Sequence, residues 1–517
     1  MSKRARLIIT VLVAVIVVAS IAVVVGLRSL EPRLQQWLVD NLSESFEGKV
    51  ELDSVHLSWM PLRLKATNLT VRHHGRTDIP PLLVVTSFTM DLRPDDLLSS
   101  TVDRVWVDGL EINIPPKDAA TGKRPLPGPG KDDGAKADDG EGLLIRRLTA
   151  TNARLAVIPR EFSKNARVWD IFELELTNLG NGQPVPFKAA LINPIPYGKV
   201  ETSGLFGPWQ ADAPGASPVQ GDYSFAADLG TIDGLAGELT ARGDMSGTLE
   251  RIATKGETHT PDFKLTELDG AKLPLHTKYD AIVDGTNGDV ELKAVDITLG
   301  KSRMMARGLV DGTKGIKGKR VIVNVKSTAT NIGEIMQLIS KAPRPVADGV
   351  LTIDAAMDLV QGKQPVLQRL SIAGSVHAEQ VRFSSNAVQD KIDDLSRRGQ
   401  GKPSDTSITN VPSRMKTSFT MDKGMFRYSN LTFAVRGATI NVDGTHSLKS
   451  KAVDLSGVVL LSASASNTLT GFKSWLVKPF DALFRKNGAG TRVVIKVGGT
   501  QDEPKVDVDF GRTLRGR

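Results

Sequence analysis

From Lys49 onward, apolar residues recur at every second position, and that period allows little besides β-strand. Val50/Leu52, Leu62/Leu64/Ala66, Leu69/Val71, Val105/Val107 and Ile112/Ile114 each alternate with polar neighbours. Successive strand side chains point to opposite faces, so each segment has one apolar face and one wet face. The phase slips between Leu52 and Val55 and between Ala66 and Leu69, which predicts bulges or turns. Segments such as LLIRRLTATNARLAVI, GDVELKAVDITLG and GVLTIDAAMDLV carry the pattern on, most of them ending at Gly, Asn-Gly or Asp-Gly. ELKAVDITLGKSRMMARGLVDG, from Glu291, and YSNLTFAVRGATINVDGTHS, from Tyr428, read as one hairpin motif repeated, with Gly308 and Gly444 in the returning strands. The pattern predicts roughly 25–30 strands, which at about 4.8 Å spacing gives a sheet of roughly 120–145 Å. Two arrangements remain open. Two sheets can pack face to face as a sandwich, or one long sheet can curl and leave its apolar face as a groove.

Before this region stands a different signal. Leu7 to Leu27, LIITVLVAVIVVASIAVVVGL, carries no charge and as a helix covers about 31 Å, the thickness of a bilayer core. Lys3, Arg4 and Arg6 precede it, and Glu31, Asp40 and Glu44 follow. The positive-inside rule then leaves the N-terminus cytoplasmic and carries the other ~490 residues across the membrane on a single span. Ser20-Ile21-Ala22 resembles a signal-peptidase site, but the apolar run continues past it to Val25, which favours an uncleaved anchor.

Short helical patterns interrupt the strands. Leu30 to Phe46 reads as an amphipathic helix, with Leu30, Leu34, Trp37/Leu38, Leu42 and Phe46 recurring at steps of three to five. Further helices are expected at Asn331–Lys341, Val388–Arg398 and Leu469–Phe484, the last kinked by Pro479. Residues 116–142, rich in Pro, Gly, Asp and Lys, read as a disordered linker or loop. The organisation expected is therefore 1–28 tail and anchor, 29–115 helix and strand module, 116–142 linker, 143–385 antiparallel sheet body, and 386–517 C-terminal region with two helical interruptions.

The 517-residue chain carries a net charge of +8. Without Lys3, Arg4, Arg6, Arg512, Arg515 and Arg517, 60 basic residues face 58 acidic ones. A nearly neutral body with basic ends is not the footprint of a nucleic-acid binder. The absence of cysteine excludes disulfides, zinc ribbons, thiolate-held clusters and cysteine nucleophiles. There is no G-x-S-x-G, H-E-x-x-H or P-loop, and the seven His are scattered. His73-His74 reads as a solvated turn, and Asp507/Asp509 as charges on a wet strand face. No catalytic, cofactor or metal residue is assigned, and the chain does not read as an enzyme.

Three stretches carry a family resemblance. LEPRLQQWLVDNLSESFEGKVELDSVHLSWMPLRLKATNLTV follows the apolar segment with a short helix, Gly48, a first strand and the Trp59–Pro61 turn. LLVVTSFTMDLRPDDLLSSTVDRVWVDGLEINI has a strand, a Leu-Leu turn and a v-x-x-v-x-v-x-G-l-x-i strand. The region from VRFSSNAVQDKIDDLSRRGQGKP to FDALFRKNGAGTRVVIKVGGTQDEPKVDVDF closes on G-G-T-x-x-x-P-K. Together these resemble the AsmA-like family of bacterial envelope proteins, related to bridge-like lipid transfer proteins. The resemblance covers about half of the chain. It implies a transmembrane helix followed by a long, curled antiparallel sheet forming a taco-like open groove with a few short helices. It implies a single-pass cell inner membrane protein with its body in the periplasm. Its partners would be membrane phospholipids, the inner membrane, and outer-membrane or periplasmic proteins, with no nucleic acid. Its function would be phospholipid transport between membranes or outer-membrane homeostasis. The alternative is a non-transport periplasmic scaffold aiding outer-membrane protein or polysaccharide assembly. On the lipid reading, the residues expected to face acyl chains are Leu64, Val107, Ile112, Leu292, Ile297, Val323, Phe433, Val435, Ile440, Val442, Val494 and Val508.

Overall fold

A computed structural model describes residues 31–36, 38–40, 43, 49–59, 62–72, 80–91, 101–114, 144–157, 163–179, 183–208, 214–268, 270–339, 345–463, 491–500 and 503–508. Over these residues the chain is mainly β, with 24 strands in one sheet and few helices. The count falls below the sequence expectation because strands run through their irregularities. β12 (Arg251–Leu265) continues past a register shift between Thr260 and Phe263.

The strands pair in chain order. Among the described residues β1 (Lys49–Trp59) pairs only with β2 (Leu62–Arg72), and neighbours then follow antiparallel to β24 (Pro504–Val508), with one exception. β4 (Thr101–Ile114) and β5 (Leu144–Val157) are parallel. A parallel neighbour requires the chain to return from one sheet rim to the other between the two strands. β10 (Leu235–Ala236) and β11 (Glu238–Thr248) lie against the same side of β12, broken at Gly237 (φ +138°), so the 24 strands make 23 rungs. The 22 spacings between 23 rungs, at 4.7–4.9 Å each, make the ladder about 105 Å along its contour.

The paired phase slips fall together. Asp53 stands opposite Asn68, which takes φ +52°, and the register is the same on either side because both strands slip at one rung. The irregularity crosses neighbouring strands at Gly109 (φ +67°) and Asn152 (φ +53°), a crease that redirects the sheet without losing register.

No two strands other than ladder neighbours pack extensively together among the described residues. The sandwich arrangement therefore does not form. Instead, short helices cover parts of one face, all from the rim where β1 begins. Leu34, Leu38 and Val39 pack on a buried cluster that includes Val55, Leu64, Ala66, Val71 and Val107. The Ile332–Ile339 helix places Ile332 and Ile335 on Leu351 and Val381. The Asn386–Gly399 helix places Ile392 and Leu395 on Val442, Val459 and Val493. The bounds of the last two helices lie within one or two residues of the sequence expectation.

No described helix is long and apolar enough to cross a membrane. The segment 7–27, the linker 116–142 and the expected helix 469–484 lie outside the described residues.

The sheet is strongly bent. β6 (Arg167–Leu179) and the turn between β13 (Leu273–Val283) and β14 (Val290–Leu299) are six to seven rungs apart, which in a flat sheet is about 30 Å. Yet the Arg167 amide donates to the Thr286 carbonyl at 2.7 Å, and the Trp169 indole Nε1 to the Gly285 carbonyl at 3.1 Å.

Candidate functional site: the charge-free face of the sheet

Following residues that sit opposite one another traces rows across the sheet. One row crosses all 23 rungs. It begins Val55, Ala66, Phe88, Val107, Ala150 and Leu174. It passes Thr202, Tyr223, Gly243, Gly256 and Tyr279 at the centre and ends Gly444, Leu455, Val497 and Val506. No position in it carries a charge, and its polar groups are hydroxyls, those of Thr202, Tyr223, Tyr279 and Tyr428. A second row on the same face runs from Leu57 to Val453 through Phe187, Leu292, Val323 and Ile372, and His446 is its one titratable residue.

The other face has the opposite chemistry. The row offset by one residue contains Lys65, Glu175, Lys188, Asp222, Asp244, Lys255 and Asp280. A shallow depression of about 950 Å³ lies on this charged face, lined by Glu175, Lys188, Asp222, Arg242, Lys255 and Glu257. The charges there pair across strands, as Lys255 does with Asp280 at 3.2 Å. Arg242, hydrogen-bonded to Glu257, holds that carboxyl below its usual range. Ionised, exposed and paired groups of this kind keep a sheet face wet. They are not poised for acid–base work.

The central stretch of the apolar face differs from its ends. From β7 (Val185–Pro194) to β15 (Ser302–Asp311) no buried hydrophobic cluster forms among the described residues. Side chains on the apolar face here are mostly half-buried. Two tyrosines lie down over this stretch. The Tyr223 and Tyr279 hydroxyls meet in a short hydrogen bond, and the Tyr223 hydroxyl also bonds Thr254 Oγ1 at 2.7 Å. Burial, with the hydrogen bond to Tyr223, pushes the Tyr279 hydroxyl well above its ordinary pKa.

The expected acyl-facing residues separate into groups. Leu64 and Val107 are on the apolar face but belong to the packed cluster under the first helix. Ile112 shares the face and is half-buried. Leu292, Ile297 and Val323 lie half-buried in or beside the uncovered stretch. Phe433, Val435, Ile440 and Val442 belong to the cluster beneath the Asn386–Gly399 helix. Val494 is a correction. It pairs with Val458, opposite Asn441, on the wet face, while its neighbours Val493 and Ile495 face the core. Alternation in RVVIKV is ambiguous because three apolar residues are consecutive, and only the pairing decides the phase. Val508 pairs with Ile495 along the backbone, and its side chain lies outside the described residues. Sequence reasoning missed Trp169, Tyr223, Tyr279 and the two glycines between the tyrosines, because the tyrosines and glycines meet through pairing of strands 13 to 23 residues apart, and Trp169 through a hydrogen bond spanning 116 residues.

No protein-family model matches the chain, and no curated protein or solved structure is similar to it. Among the described residues no cluster of His, Asp and Glu has the arrangement of a metal site.

Proposed function

We propose that the protein is an AsmA-like, inner-membrane-anchored periplasmic protein whose bent sheet forms an open trough that shields lipid acyl chains. In this role it contributes to phospholipid transport between membranes or to outer-membrane homeostasis. One observation carries the reading. Two adjacent rows with no permanently charged side chain continue from strand to strand across nearly the whole ladder, with no second sheet packed on them. A packed body needs apolar residues only where two layers meet. Here the apolar character is unbroken even where nothing described covers it. An acyl chain sheathed by such a face avoids about 0.8 kcal/mol per CH₂ of exposure to water. Movement along it requires no bond to form or break. The segment 7–27 would hold one end at the inner membrane, and a contour of about 105 Å supports a partial conduit completed by envelope partners.

Photo-crosslinking tests the reading. A photoreactive residue at Val323, beside the uncovered stretch, is expected to capture phospholipid in cells, and one at Val494 on the wet face is not. Val323→Asp should abolish lipid capture at a neighbouring apolar-face position while the protein still folds. Absence of lipid adducts at Val323, together with lipid-free protein in native mass spectrometry, would sink the conduit and leave the scaffold reading.

A further inference from the structure

We infer that Arg167 forms a binding site for a phosphate group at one end of the charge-free face. The inference rests on the lipid reading for the identity of the ligand, but the anion site itself stands on separate observations. Arg167 opens β6 two residues before Trp169, on the same face, and pairs with Val157. Its guanidinium lies over the Trp169 ring, 4.9 Å from the centroid. Nη2 donates a short hydrogen bond to Asn193 Oδ1, from the neighbouring strand. Nε is buried and donates to nothing. The turn between β13 and β14 roofs the side chain, with the Thr286 carbonyl on the Arg167 amide and Gly288 against its stem.

The charges nearby are accounted for, except this one. Lys164 Nζ lies 2.8 Å from Asp289 and 3.9 Å from Asp311. Lys319 also pairs with Asp289. The Asp284 carboxylate accepts from the Thr286 amide and hydroxyl and from Asn287, which holds the turn. Among the described residues no carboxylate is within ion-pair distance of Arg167, and burial has depressed the pKa of its guanidinium with nothing to offset it. A half-buried cation with no counter-ion among the described residues is costly. The fork of arginine matches phosphate oxygens in pairs. Trp169, polar at Nε1 and apolar across its ring, marks the boundary where a headgroup would end and acyl chains begin. Ile171 and Leu174 continue the face from there. The ligand chemistry is therefore a phosphate ester at Arg167 with its chains along the rows. Inorganic phosphate shares the headgroup's part of that chemistry.

Competitive loading of the full-length protein distinguishes these. Purified protein is incubated with vesicles containing equal phosphatidylglycerol and diacylglycerol of matched chains, and bound lipid is counted by native mass spectrometry. Wild type should retain the phospholipid about tenfold over the diacylglycerol, the scale of a charge-assisted hydrogen bond. Arg167→Gln should bind both equally with the same total lipid. Arg167→Lys, which keeps the charge but not the fork, should keep only part of the preference and guards against misfolding of the Gln variant. An unchanged preference in either variant overturns the proposal. If wild type takes up neither lipid, the lipid reading fails by itself. ³¹P NMR titration with inorganic phosphate then decides the anion site, since binding lost in Arg167→Gln supports it and equal or absent binding in both proteins overturns it.

Discussion

At the scale of single residues, the centre of the apolar face turns on four side chains, two of which are hydrogen atoms. A Cβ on Gly243 would sit 2.8 Å from the Tyr223 hydroxyl, and one on Gly256 would sit 2.6 Å from that of Tyr279. The glycines leave the space into which the rings lie down, and the rings cover backbone that glycine would expose. The hydroxyls satisfy each other, as a polar group on an apolar face must. The raised pKa of Tyr279 carries a sign. A phenol favoured in its neutral form leaves stability intact below the unfolded value of about 10, and stability falls as pH rises beyond it. Tyr428 is shifted the same way by burial. Of the four tyrosines, Tyr279 and Tyr428 should therefore ionise late in a spectrophotometric titration at 295 nm, and Tyr279→Phe should remove one late step. A second residue-scale test concerns the strand that alternation left ambiguous. Val493 is fully buried, so Val493→Asp should cost several kcal/mol in urea unfolding. Val494→Asp, on the wet face, should cost no more than about 1 kcal/mol. Equal costs would mean that the phase of β23 (Thr491–Gly499) is misassigned.

At the scale of elements, the first helix closes an edge as well as packing a core. Among the described residues β1 has a strand on one side only, and an open edge invites pairing with another chain. Gln35 Nε2 donates to the Leu52 carbonyl at 2.7 Å, and Glu31 Oε1 accepts from the Leu57 amide at 3.1 Å, so helix side chains occupy ladder positions where a strand would bind. Replacing both residues by Ala should free these groups, cost about 1–3 kcal/mol, and promote concentration-dependent self-association seen by sedimentation velocity. A monomer at all concentrations would show that the edge is protected otherwise. The Asn386–Gly399 helix is held differently. Buried Asp393 accepts from the Asn410 and Val411 amides and from Gln389, which ties the following loop back onto the helix. The apolar spacing of Val388, Ile392 and Leu395 made this helix legible in the sequence. The buried carboxylate was not, since its backbone partners come from a loop 17 or more residues away.

At the scale of the whole molecule, a bend brings distant rungs together. Lys164, ahead of β6, reaches Asp289 beyond β13 and Asp311 at the end of β15, and the Lys314 amide donates to the Ser163 carbonyl at 2.5 Å. Burial pushes the Asp289 carboxyl up, but Lys164 and Lys319 outweigh it and keep it ionised below its usual range. This clasp can be tested cleanly because the chain has no cysteine. A Ser163→Cys/Lys314→Cys pair should form an intramolecular disulfide on mild oxidation, visible as a mobility shift that reductant reverses. If the clasp opens to admit lipid, the oxidised form should load lipid more slowly than the reduced form. Failure to crosslink would mean that the two rims do not meet in solution.

Alternation from Lys49 onward was sufficient by itself to determine a mainly β chain with one apolar face, and 3.6-residue spacing marked the short helices, because both signals are local. The slips at Leu52/Val55 and Ala66/Leu69 announced the crease for the same reason. Whether those faces packed on a second sheet or stayed in one bent layer was decided only by the tertiary structure. So were the side on which Val494 lies, the pairing of Tyr223 with Tyr279, and the roof over Arg167. Each depends on which strand lies opposite which and on how far the sheet turns, and a period of two is identical for a flat sheet, a sandwich and a trough.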